Sequence, residues 1–199
     1  MLVHGLWMPG IKLYYLGWKL KRSGFRVSYF HYKSLRGRLD DSVKSLRDCI
    51  EASSGKVHLV GYSLGGIVVA RLIEQFPTDK LGRVALLGCP LQGSAVAELL
   101  AVNWLGRLIL GSVALEGIVK KRPALIGHRN VLIVAGTLPL GIGLVMGLPL
   151  PHDGTVSISE ASLAGVTTIR VWGSHLSLVF SPKVAEVISD YFLCGSDYP

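Results

Sequence analysis

Apolar residues in this chain fall into short, nearly continuous runs separated by longer segments of helical period. Val57 to Tyr62, Val84 to Leu87 and Val131 to Ala135 read as strands buried on both faces, because a half-exposed strand would alternate apolar with polar positions, and Thr168 to Trp172 reads as a further strand. Leu2 to His4 and Phe25 to Tyr32 add two more strands. Ile11 to Ser23, Leu39 to Ala52, Gly66 to Phe76 and Pro182 to Phe192 have the spacing of helices, and the apolar stretch from Gly93 to about Val119 reads as a helical excursion. This alternation predicts an α/β fold: one domain over 1–199, with a mostly parallel sheet covered by helices on both faces through right-handed crossovers. No repeat, low-complexity tract or linker interrupts it.

Two apolar stretches approach the length of a membrane span, and neither reads as one. Pro139, Pro149 and the glycines at 136, 141, 143 and 147 divide Val131 to Leu150 into a strand and an irregular loop. Leu99 to Val119 holds Asn103, Arg107 and Glu116, and predicts an amphipathic segment packed on the domain, a candidate helical cap within 93–124.

In open parallel sheets the chemistry gathers at the carboxyl ends of the strands. Those ends carry His4-Gly5-Leu6, His31-Tyr32, Tyr62-Ser63, Gly88-Cys89-Pro90, Gly136-Thr137 and Trp172-Gly173-Ser174-His175. Gly61-Tyr62-Ser63-Leu64-Gly65 is a G-x-S-x-G sequence running from a strand into a helix. A serine on so tight a turn sits in a strained backbone, and a Cβ at either flanking glycine would crowd it. The turn presents Ser63 Oγ above the sheet and aims the Leu64 N–H at an oxyanion forming on the acylated serine.

A serine hydroxyl needs a base to take its proton, and a neutral imidazole suits that task near pH 7. Of six histidines, His175 is best placed, following the last strand in the chain order Ser, acid, His. His31 and His152 stand on the same rim as alternatives. His58 lies within a strand and points to packing, His4 to shaping the first loop by a hydrogen bond, and His128 precedes a strand at the wrong end. Asp153, in the turn-like Pro151-His152-Asp153-Gly154, is the acid that would hold His175, with Glu160 the alternative. Glu98 and Glu116 read as surface or capping charges. The second oxyanion donor falls to the Leu6 N–H, where Gly5 permits close approach of the backbone.

Composition narrows the setting. Half the residues are hydrophobic, 17% are charged and the mean hydropathy is +0.46, which calls for a large core or for functional apolar surface. The net charge is +8, with basic residues at Lys19, Lys21, Arg22 and Arg26 and again at Lys33, Arg36 and Arg38. Such a face could meet anionic lipid, although a solvated helix face explains it more simply. No aromatic-interleaved basic stripe or nucleic-acid motif accompanies it, so nucleic acid is not an expected partner. Cys49, Cys89 and Cys194 are odd in number and far apart, which with the absence of a leader-like start favours a reducing cytoplasm, with peripheral membrane contact as the alternative. The strand before His4 is so short that an upstream piece is expected to be missing. Neither the histidines nor the cysteines have metal-ligand spacing, and no metal or other cofactor is expected.

Taken together, His4-Gly5-Leu6, Gly61 to Gly66, Gly88-Cys89-Pro90-Leu91-Gln92-Gly93-Ser94, Asp153-Gly154 and Ser174-His175-Leu176 through Pro182 resemble the small bacterial lipase and esterase branch of the α/β-hydrolase superfamily. The likeness extends to minimal bacterial lipases and to esterases related to glycosylphosphatidylinositol-inositol deacylases. The resemblance implies hydrolysis of small-molecule or lipid carboxylic esters, with Ser63, Asp153 and His175 as triad and Leu6 and Leu64 as oxyanion hole. Cys89 and Leu91 depart from the threonine and histidine common in the corresponding motif. Trp7, Met8, Leu140, Leu144 and Leu176 are the expected contacts for an acyl chain. A thioesterase, phospholipase or acyltransferase would use the same triad. A non-catalytic protein binding an apolar ligand or membrane surface is the alternative of another class.

Overall fold

The computed structural model describes residues 1–7, 10–120 and 130–194. Six parallel strands form one sheet: β1 (Leu2–Val3), β2 (Tyr29–Phe30), β3 (Val57–Tyr62), β4 (Leu81–Leu87), β5 (Val131–Gly136) and β6 (Thr167–Val171), in the spatial order β2-β1-β3-β4-β5-β6. The order reverses between β1 and β3, which opens a crevice at their carboxyl ends. The α/β expectation, a parallel sheet with helices on both faces, is therefore met.

The unbroken apolar runs supply two cores at once. Leu59, Leu86 and Ile133 face helices α2 (Leu39–Glu51) and α3 (Leu64–Gln75), while Val60, Tyr62, Leu87 and Val134 face α1 (Tyr14–Arg22) and α8 (Pro182–Leu193). Successive strand residues point to opposite faces, so a strand covered on both sides must be apolar at every position. On α2, buried Leu39, Val43, Leu46 and Ile50 recur at helical spacing, and Glu116 caps the helix by accepting a hydrogen bond from Leu39 N at 2.9 Å.

Several element boundaries differ from the sequence reading. β2 spans two residues instead of the eight from Phe25 to Tyr32, because its partner β1 offers only Leu2 and Val3 for pairing. β4 begins at Leu81, three residues early, through an irregular register with β3 in which Arg83 N donates to His58 Nδ1 at 2.9 Å. α1 is preceded by a 3-10 turn at Gly10–Leu13. The excursion divides into α4 (Ala95–Leu100), α5 (Trp104–Ala114) and a π-helical turn at Leu115–Lys120. Asn103 caps α5, and Gly111 breaks its helical path with φ 71°, where a Cβ would lie 2.7 Å from Leu35 Cα. The loop after β5, read as irregular, carries the single-turn helix α6 (Ile142–Val145), and α7 (Ile158–Ala161) follows Asp153. No helix among the described residues is long and apolar enough to cross a membrane.

Candidate active site

Ser63 occupies the turn between β3 and α3 with φ 51° and ψ −122°, a backbone conformation rare for any residue with a Cβ. Close packing holds it there. A Cβ on Gly61 would sit 2.6 Å from Gly66 Cα, one on Gly65 would overlap the carbonyls of Val3 and His4, and one on Gly66 would overlap Cys89 Sγ. Ser63 N donates to Leu87 O at 2.9 Å, and Ser63 O accepts from Gly66 N at 2.9 Å. Below the turn, the Cys89 thiol donates toward Gly61 O and Leu87 O at 3.4 and 3.3 Å, and burial pushes its pKa far up, so it remains a neutral packing group.

His175 and Asp153 converge on Ser63 from the ends of two other connections. His175 Nε2 lies 3.0 Å from Ser63 Oγ, and His175 Nδ1 lies 2.7 Å from Asp153 Oδ2. The Asp153 side chain is 1% exposed. Its other oxygen, Oδ1, accepts from Thr155 N and Val156 N at 2.9 and 2.8 Å, so one carboxylate both shapes its turn and orients the imidazole. His175 N donates to Asp153 O at 2.7 Å, and the Tyr62 hydroxyl donates to His175 O at 3.0 Å. Gly88 and Gly136 leave the necessary space: a Cβ at Gly88 would stand 3.0 Å from His175 Nδ1, and one at Gly136 would stand 2.7 Å from Asp153 Cβ.

The other histidines and carboxylates lie elsewhere. His152 is buried and accepts from Gly154 N at 2.9 Å, and His31 is exposed beside His4. Glu160 forms a capping box with Ser157 and accepts from Ala95 N at 2.6 Å. His128 lies outside the described residues.

The first loop crosses directly over the serine. A Cβ on Gly5 would be 3.0 Å from Ser63 Cβ, so only glycine fits without displacement. His4 braces this loop: its Nδ1 bonds to Gly5 O at 2.8 Å, its ring stacks on Tyr32 at 4.6 Å, and the Tyr32 hydroxyl donates to His4 O at 3.0 Å. Burial holds the His4 imidazole below its ordinary pKa, with His31 adding to the effect. Leu64 is the first residue of α3, so its N–H is among those without an intrahelical acceptor.

Of the expected acyl contacts, Trp7, Leu140, Leu144 and Leu176 are all substantially exposed around the rim, and Met8 lies outside the described residues. A cleft of about 950 Å³ on this rim is lined by His4, Trp7, His31, Tyr32, Lys33 and Arg36, among others. A hollow of about 460 Å³ between Met1, Phe25, Lys56 and Phe192 lies at the opposite, amino end of the strands. Two features escaped the sequence reading. Tyr62 positions the histidine loop, and Trp7 Nε1 donates to Ile109 O at 2.7 Å, tying the first loop to α5. Nothing in a linear pattern pairs residues separated by about a hundred positions.

No family model and no curated protein matches the sequence. Solved structures match its fold: the chain has the α/β-hydrolase fold. It is similar to the Bacillus licheniformis lipase BlEst2 in mature form, with 23% identity, 89% of this chain and 84% of that chain covered, and a TM-score of 0.63. The bromoperoxidase from Bacillus anthracis matches with 16% identity, 96% and 90% coverage and a TM-score of 0.68. Phospholipase PlaB from Legionella pneumophila matches with 14% identity, 81% and 44% coverage and a TM-score of 0.64.

Proposed function

We propose that the protein is a serine hydrolase that cleaves carboxylic esters through an acyl-enzyme on Ser63. The observation that carries this reading is the continuous path from Ser63 Oγ through both nitrogens of His175 to a buried Asp153, at 3.0 and 2.7 Å. His175 Nε2 takes the hydroxyl proton as Oγ attacks the ester carbonyl. The Asp153 carboxylate, anchored by two backbone amides, stabilises the imidazolium that results. The amides of Leu6 and Leu64 hold the tetrahedral oxyanion, each donor contributing about 3 kcal/mol in the transition state. His175 then returns the proton to the leaving alcohol, and water repeats the sequence on the acyl-enzyme. Neither half of the cycle calls on a metal or organic cofactor. Trp7, Leu140, Leu144 and Leu176 offer the acyl chain an apolar surface.

Names borne by similar structures, among them lipase, carboxyl esterase and phospholipase, support ester cleavage. The decisive experiment is fluorophosphonate labelling of the wild type, Ser63→Ala and His175→Ala, with p-nitrophenyl butyrate turnover followed in parallel. Labelling and turnover lost in both variants are the expected result. A folded but inert wild type would refute the proposal. Comparing p-nitrophenyl esters with acyl-CoAs and phospholipids then separates esterase, thioesterase and phospholipase activity.

A further inference from the structure

We propose that the rim around Ser63 is a docking face for the surface of an anionic lipid bilayer. The inference rests on the proposed function only for the meaning of the site so presented; docking itself is measured without turnover. All four tryptophans of the chain are exposed, from 47% for Trp18 to 78% for Trp172. A protein whose tryptophans served its own core would bury them.

Three apolar projections share this rim. On α5, Trp104, Leu105 and Leu108 are 76%, 52% and 66% exposed. The helix is held to the rim by Trp7 Nε1 on Ile109 O and by Ser112 N on Leu35 O at 2.9 Å. On α6, Leu144 and Val145 are 60% and 88% exposed, and Gly143 N anchors that turn to Gly154 O at 2.7 Å, next to Asp153. Trp172 stands at the end of β6, three residues before His175. Protruding aromatic and aliphatic groups suit a fluid interface, where rings sit at headgroup level.

Charge selects the kind of surface. Residues 1–39 contain eight Lys and Arg and no carboxylate. Among them Lys33 and Arg36 are exposed in the loop that faces Trp7 across the cleft and packs on α5 through Leu35. Arg107 is the only charged residue from 99 to 115, and residues 138–152 and 172–180 carry no Lys, Arg, Asp or Glu. Glu98 on α4 is the single exposed carboxylate within these rim segments and those at 4–38 and 88–98. Long basic side chains beside exposed apolar ones complement an anionic headgroup layer above acyl chains.

The test is flotation of the full chain with phosphatidylcholine vesicles and with equimolar phosphatidylcholine and phosphatidylglycerol vesicles. Tryptophan emission and solution mass are followed alongside, and Ser63→Ala is run in parallel so that binding is scored apart from turnover. Binding to the anionic vesicles at least about tenfold tighter is expected, weakened by high salt, with a blue shift that shrinks in Trp104→Phe. Leu105→Asp/Leu108→Asp and, separately, Lys33→Glu/Arg36→Glu should each reduce that binding about tenfold or more while circular dichroism stays native. Equal affinity for both vesicles, or none for either, overturns the proposal even if fluorophosphonate labels Ser63. So does a dimer dissolved by Leu105→Asp/Leu108→Asp, which would give the face to a second copy. Docking that persists in a chain inert to fluorophosphonate would uphold this inference and refute the esterase reading instead.

Discussion

The floor beneath Ser63 and the rim above it are built on opposite principles. Beneath, Gly61, Gly65, Gly66 and Cys89 pack so closely that a single added methyl group meets backbone or sulfur. Above, Trp104, Leu108, Val145 and Trp172 project into solvent with 66% to 88% of their surface uncovered. The floor fixes one strained serine conformation, which only an over-determined surrounding can hold. The rim fixes little of itself, and its residues are free to serve whatever lies outside. Substitutions below should therefore disturb chemistry and stability, and substitutions above should disturb association.

The largest effect is expected at the junction of the two regions. Ser63→Ala or His175→Ala should lower kcat/KM for p-nitrophenyl butyrate by about 10⁴- to 10⁶-fold with little change in Tm. Within the floor, Gly66→Ala should cost about 1–3 kcal/mol of stability, because its Cβ would overlap Cys89 Sγ. In the Cys89→Ala background the same change should cost less, because the sulfur is gone and only the Cβ of residue 89 still stands 2.9 Å away, and denaturant unfolding of the four variants would expose that coupling. If the costs simply add, the floor is looser than its geometry says. Tyr62→Phe removes the hydroxyl that donates to His175 O at 3.0 Å, and about 1 kcal/mol of stability should go with it, read from the urea midpoint.

Two smaller effects refine the contrast. Burial holds His4 and His58 below their ordinary pKa of 6.5, with Arg83 adding to the effect at His58. The unfolded chain takes up these protons first as pH falls. The stability tied to the two neutral rings is thus complete above about pH 6.5 and declines below it, through the lower folded values. Tm measured between pH 7.5 and 5.5 should fall, and His4→Gln/His58→Gln should fall less steeply. At the rim, Leu105→Asp/Leu108→Asp should change unfolding free energy by no more than about 0.5 kcal/mol per site, since both positions are exposed. A larger loss would mean that this face of α5 packs as core, as the opposite face does through Leu110, Val113 and Ala114, and the division between floor and rim would collapse.

Much of this architecture can be read along the chain, because the information is local. Continuous apolar runs name β3, β4 and β5, and Gly61 to Gly65 names the elbow through glycines whose need is steric. Ser63 and His175 follow strand ends and Asp153 lies on the loop after β5, in a readable chain order, and the structure brings them within hydrogen-bonding distance. Length of pairing is another matter. β2 ends where β1 ends, so Phe25 to Tyr32 has strand composition and only two paired residues. Asp153 shows the same limit from the other side: its turn is local and visible, whereas the bond from Oδ2 to His175 spans 22 residues and exists only once β5 and β6 are neighbours. Trp7 on Ile109 and Leu35 on Ser112 belong wholly to tertiary structure, and so does the exposure of the rim. An apolar side chain reads identically whether it is buried or bare, since its surroundings come from segments distant in sequence.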